Sequence, residues 1–135
     1  VSFGKKENKV GSMEYEITSL DHVQLAMPAG EEEAARRFYR DILGLVEVQK
    51  PERLARRGGV WFRGAGFQVH LGVEAGFRPA RKAHPAFRVS RLDGLAQALE
   101  ASGYMITWDT EIPGVRRFYT DDPFGNRLEF QSEAA

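Results

Sequence analysis

Two-residue alternation of apolar and polar side chains, repeated in four segments of one short chain, most constrains what this sequence can fold into. In "SLDHVQLAM", residues 19–27, Val23, Leu25 and Met27 share one side, and His22, Gln24 and Ala26 the other. In "FQVHLGVE", 67–74, Phe67, Val69, Leu71 and Val73 oppose Gln68, His70, Gly72 and Glu74. In "HPAFRVS", 84–90, Pro85, Phe87 and Val89 oppose His84, Ala86, Arg88 and Ser90. In "NRLEFQ", 126–131, Leu128 and Phe130 oppose Arg127, Glu129 and Gln131. A period of two marks a strand with one greasy and one polar face. Each of these strands must lay its apolar side on a core.

The segments between them supply the cover. "EEEAARRFYRDILG", 31–44, carries Ala34, Ala35, Phe38, Ile42 and Leu43 at helical spacing, with glutamates at the positive end of the dipole and Gly44 as a stop. "RLDGLAQALEASG", 91–103, does the same with Leu92, Leu95, Ala96 and Leu99, ending at Gly103. A short strand near 45–49 follows the first helix. "GGVWFRG" then pairs with "FQVHLGVE" across Gly64–Gly66. After a basic link, "AGFRPARKA" (75–83), the order starts again. "YMITWD" is a strand, and "GVRRFYT" and "NRLEFQ" form a hairpin around the turn "DDPFGN". The spacing thus predicts strand–helix–strand–strand–strand twice, an α+β fold built as a repeat. The units run over about 19–75 and 84–132 within one domain, 13–135. Residues 1–12, "VSFGKKENKVGS", read as a disordered lead or an expression remnant, with Met13 a natural start.

Composition narrows the function classes. Lysine plus arginine equals aspartate plus glutamate, 19 each, so bulk charge directs the chain to neither nucleic acid nor membrane. Arginine predominates over lysine, and its planar fork suits small anionic ligands. The absence of cysteine removes disulfides, thiolate metal sites and cysteine nucleophiles. No apolar run is long enough to span a bilayer and no signal-peptide pattern opens the chain, so a cytoplasmic location is expected.

The chemistry is expected on the polar strand faces. The chain has three histidines, and all three sit there. His22 precedes His70 by 48 positions, and His84 precedes Glu129 by 45, first strand to last strand in each unit. A lone histidine on such a face is ordinarily a surface residue. Four candidate ligands at corresponding places in two similar units are a stronger signal. If the polar faces close into one cup, His22, His70, His84 and Glu129 converge on a divalent ion such as zinc, iron, manganese, nickel or cobalt. Gln24, Trp61, Arg63, Gln68, Arg88, Arg117 and Tyr119 would shape the cup, with Arg88 the first choice for a substrate anion. Trp61 and Trp108 serve equally well as walls or as packing. Glu74 lies near a strand end and reads as a surface residue. The paired aspartates of "DDPFGN" read as turn residues.

At these residues the chain resembles the vicinal oxygen chelate superfamily, which includes glyoxalase I, bleomycin-resistance proteins, extradiol dioxygenases, fosfomycin-resistance thiol transferases and methylmalonyl-CoA epimerase. "LDHVQLAM", "FYRDILGL", "HPAFRV" and "FYTDDPFGNRLEF" carry the likeness over about 19–132. It implies paired βαβββ modules forming a cupped, partly closed mixed sheet with helices outside. It places metal ligands at His22, His84 and Glu129, with His70 at the last-strand position of module one. Glyoxalase I has a glutamate there, so His70 weakens that activity and suits a fourth ligand or a proton-shuttling base. The resemblance implies a metal-dependent lyase, isomerase, transferase or dioxygenase acting on a small substrate that chelates through adjacent oxygens. The other reading is a metal-free, bleomycin-resistance-type binding protein. A homodimer is also implied, with cups formed within one chain or by module exchange.

Overall fold

The computed structural model describes residues 13–133, so the expectation for residues 1–12 lies outside the described residues. The first module runs β1 (His22–Met27), α1 (Glu32–Ala35) continued by a π-helical turn (Arg36–Arg40), β2 (Val46–Val48), a short α2 (Glu52–Ala55), β3 (Val60–Arg63) and β4 (Gln68–Val73). The second runs β5 (Ala86–Val89), α3 (Leu92–Ala101), β6 (Thr107–Asp109), β7 (Arg117–Asp121) and β8 (Arg127–Ser132). The repeat is therefore real, with α2 an addition to module one. Among the described residues no helix is long and apolar enough to cross a membrane.

The modules form two separate four-stranded sheets of matching order, β1-β4-β3-β2 and β5-β8-β7-β6. In each, the first strand runs parallel to the last and the other pairs are antiparallel. That mixture follows from connectivity. A strand that returns through a helix and two further strands can re-enter beside its start in the same direction. The register sets Gln24 opposite His70, and His70 opposite Trp61. In the second sheet Glu129 lies between Ala86 and Tyr119.

The first helix departs from the regular period. Asp41 N–H bonds to the Arg36 carbonyl at 3.1 Å and Leu43 N–H to that of Phe38 at 2.9 Å, both five-residue spans. The widened turn lets consecutive residues Phe38 and Tyr39 both become fully buried. The close pairing of β3 and β4 depends on Gly59. Its φ is +88°, and a Cβ there would stand 2.2 Å from the Leu71 carbonyl oxygen.

One apolar cluster serves both modules. Met27, Phe38, Tyr39, Phe62, Val69 and Leu71 come from the first; Leu92, Leu99, Phe118, Leu128 and Phe130 come from the second. Phe67 meets Phe87 across the boundary at 5.6 Å, and Phe38 meets Tyr104 at 4.9 Å. Burying such side chains contributes about 1.5–3 kcal/mol each.

A buried polar clasp crosses the same boundary. Tyr39 Oη donates to Asp122 Oδ2 at 2.7 Å. Asn126 Nδ2 bonds both Asp122 Oδ2, at 3.0 Å, and the Ala26 carbonyl, at 2.8 Å. The Phe124 and Asn126 amides bond to Asp122 Oδ1. The "DDPFGN" segment is thus a turn, as its sequence indicates, and one of its aspartates also ties the modules together. Burial pushes the Asp122 carboxyl upward, opposed by the donors around it. Burial, then the Asp122 charge, raises Tyr39 well above its usual range.

Tyr39→Phe removes one donor and leaves the others, so a loss of about 1–2 kcal/mol in urea unfolding is expected. Asn126→Ala removes partners from both modules and should cost more. Equal, negligible effects of the two would contradict a clasp.

Candidate functional site

The polar face of the first sheet carries a stack of three rings. β3 and β4 set Trp61 and His70 side by side, and their rings lie 3.8 Å apart at 4°. β1 brings His22 onto the other side of His70, at 4.1 Å and 16°. Gln68, two residues before His70 on the same strand face, accepts from His70 Nε2 through Oε1 at 2.8 Å. That bond puts a proton on Nε2. Burial, and then the neighbouring His22, lower the affinity of His70 for a second proton. His22 Nδ1 contacts Asp21 Oδ2 at 2.9 Å, at the exposed end of the stack. Gln24 lies over Gly72: a Cβ on that glycine would come within 2.6 Å of Gln24 Nε2. Arg63 and Glu74 are exposed.

The polar face of the second sheet carries a charged network. Glu129, 3% exposed, accepts from Gln131 Nε2 at 2.7 Å and Arg117 Nη1 at 3.1 Å, and its Oε1 stands 2.9 Å from His84 Nε2. Arg117 also donates to Asp109 Oδ2 at 3.2 Å. Its buried Nε has no partner among the described residues. Tyr119 meets the His84 ring edge-on at 5.3 Å and lies beneath the Arg127 guanidinium at 4.2 Å. The Lys82 carbonyl contacts His84 Nδ1 at 2.9 Å, fixing a proton on that nitrogen.

The four candidate ligands therefore sit two and two, on different sheets. The expected convergence of His22, His70, His84 and Glu129 is not made within the chain. Among the described residues no group of three or more histidine, aspartate or glutamate side chains could hold a metal ion. His22 and His70 lie on the first sheet, while His84 contacts Glu129 of the second. The nearly parallel planes of His22 and His70 also keep their in-plane lone pairs from converging. By register Arg88 pairs with Gln131, on the Glu129 side of β5. It takes no part in the Glu129 network and borders a cavity beside α3.

Several neighbours of the candidate residues are not singled out by the sequence alone. Gln131 shares Glu129's strand face two residues on, a placement that alternation gives. Asp109 directly opposes Arg117 in the β6–β7 pairing, which requires the hairpin register to be known. Tyr39 and Asp122 are 83 positions apart, and nothing local links them.

A match spanning residues 19–130 shows that the chain belongs to the Glyoxalase/Bleomycin resistance protein/Dioxygenase superfamily. A solved glyoxalase family protein from Bacillus anthracis is 47% identical, with a TM-score of 0.86 over 90% of this chain and 100% of that one. The lactoylglutathione lyase of Agrobacterium tumefaciens, 21% identical, has a TM-score of 0.67 over 86% and 94% of the two chains. The genomically encoded fosfomycin resistance protein of Listeria monocytogenes, 17% identical, has a TM-score of 0.70 over 87% and 95%. These two show the shared fold alone. None of the curated proteins compared matches the chain.

The Glu129 network makes a pH prediction. Burial pushes this carboxyl up, but the bonds from Gln131, His84 and Arg117 outweigh it and hold it at about 2, against an ordinary 4.5. A depressed folded-state value stabilises the fold above about 4.5, and that stability is lost as pH falls toward 2. The full effect is worth about 3 kcal/mol. A carboxyl NMR titration should find Glu129 ionised at pH 3.5, and Gln131→Ala should move its midpoint upward. A midpoint near 4.5 in the parent would contradict the network.

Proposed function

We propose that the chain binds a small, flat molecule on the polar strand faces of its sheets, as a binding protein of the bleomycin-resistance type. The single observation that carries this reading is the Trp61–His70–His22 stack, in which His70 is sandwiched, the ring nitrogens do not converge, and the outer ring faces of Trp61 and His22 are left for a ligand. Such a stack offers an aromatic or cationic ligand a π surface, worth about 0.5–1.5 kcal/mol per ring pair beyond area burial. Gln24 and Gln68 border the stack, and Tyr119 borders the second face.

A second reading is a divalent-metal enzyme of the same superfamily, a lyase, isomerase, transferase or dioxygenase. The specific observation in its favour is the His84–Glu129 pair. With the Lys82 carbonyl holding the proton on Nδ1, Nε2 faces a carboxylate oxygen at 2.9 Å. A proton on Nε2 satisfies that contact, and so does a shared cation. Two donors at right angles on an octahedral ion, each bound at ~2.1 Å, stand ~3 Å apart. The pair therefore fits two positions on zinc, iron, manganese, nickel or cobalt. His22, with His70 as a further ligand or a base, would have to come from the first sheet of a second copy, so this reading requires a homodimer. The bound ion would polarise adjacent oxygens of a substrate. Arg117 and Gln131 would meanwhile orient the Glu129 carboxylate.

Titrating metal-stripped protein with bleomycin, in a Trp108→Phe background, follows the remaining tryptophan, Trp61. Saturable quenching without metal, lost in His70→Ala, is expected. Binding that appears only after a divalent ion is restored would overturn the first reading in favour of the second.

A further inference from the structure

A cavity floored by apolar side chains is lined by no residue of the ring stack or of the Glu129 network. It has a volume of about 500 Å³ and opens between Leu43–Leu45 and Gly64–Phe67 of module one and the β5–α3 turn of module two. That volume is in the range of pockets that enclose drug-sized molecules. Its floor is apolar: Leu45, Phe67, Phe87, Val89, Leu95 and Phe130. Alternation along β4, β5 and β8 sets this floor opposite to His70, His84 and Glu129, while Arg88 lies on the other face of the edge strand β5, paired with Gln131, and borders the cavity from there.

The edge of this cavity is cationic. Arg88 and Arg91 border it, and neither joins an ion pair among the described residues. The nearest acid on α3, Asp93, is engaged with Arg116 at 3.0 Å. Arg91 is also the one non-glycine residue with positive φ among those described, at +56°. It stands at the N-cap of α3 with no side-chain cap, where serine, threonine, aspartate or asparagine is usual. A side chain in this left-handed region is strained relative to glycine. Strain retained at the mouth of a cavity is what a binding role leaves behind.

We propose that this cavity binds an amphipathic monoanion, its apolar body on the phenylalanine floor and its carboxylate or sulfonate at Arg91 and Arg88. A sulfate-sized ion would leave the floor empty, and a neutral hydrocarbon would leave two arginines without a counter-charge, so the ligand class combines both.

Gly94 provides the test. It borders the cavity in the first turn of α3, and a Cβ built there meets nothing within 4 Å. Gly94→Phe therefore fills the mouth, and replacing glycine inside a helix is not expected to harm the fold. The probes are 8-anilinonaphthalene-1-sulfonate and its uncharged relative N-phenyl-1-naphthylamine, titrated by fluorescence into the full chain. The sulfonate should bind one to one and at least tenfold more tightly than the uncharged probe. Gly94→Phe should weaken both at least tenfold. Arg91→Gly should weaken the sulfonate about fivefold, spare the uncharged probe, and raise the melting temperature by about 3 °C through relief of strain. Unchanged sulfonate binding in Gly94→Phe would overturn the cavity assignment. Equal losses for both probes in Arg91→Gly would overturn the role of charge. Because Arg91→Gly is expected to stabilise the chain, a folding failure of Gly94→Phe leaves the proposal open to refutation. Loss of bleomycin binding at Trp61 would not affect this result, since the two sites share no residue.

Discussion

The shared apolar core constrains everything else in this molecule. Each sheet has one greasy side, and a module of this size cannot bury that side alone. The two modules solve the problem jointly. Phe38 and Tyr39 from the first helix, and Phe118, Leu128 and Phe130 from the second sheet, belong to one cluster. The Tyr39–Asp122–Asn126 clasp adds direction to this packing, because a buried carboxylate is tolerated only where all its donors arrive together.

The consequence for function follows from the same alternation. On one sheet, pleat and register stack Trp61, His70 and His22 face to face, with His70 in the middle. On the other they gather His84, Arg117 and Gln131 around Glu129. The first surface is suited to dispersion and π contacts. The second is suited to holding charge, either as a closed hydrogen-bonded network or as half of a cation site.

Much of the fold was legible in the sequence because alternation and helix spacing are local properties. Val23-Leu25-Met27 and Leu128-Phe130 announce buried strand faces without knowledge of any partner. The duplicated order, the turn at Pro123–Gly125 and the polar-face placement of the histidines were accessible in the same way. What could not be read was how two modules orient toward each other. That depends on contacts such as Phe67 with Phe87 and Tyr39 with Asp122, which no spacing rule encodes. Each strand was assigned to its face, but among the described residues of one chain no three of the candidate ligands are grouped to hold an ion. The π turn at Arg36–Arg40 escaped for a related reason: adjacent Phe38 and Tyr39 reveal a widened turn only once both are known to be buried.

The central claim is that one chain does not bring its three histidines to a single point. They are the only histidines in the sequence, so ring nitrogen NMR reports on all of them without ambiguity. Zinc added stepwise to metal-stripped protein gives the direct test. The account predicts that His84, beside Glu129, responds separately from the stacked His22 and His70, with no single binding step moving all three. Simultaneous displacement of the three ring signals, complete at one equivalent of zinc per chain, would contradict it.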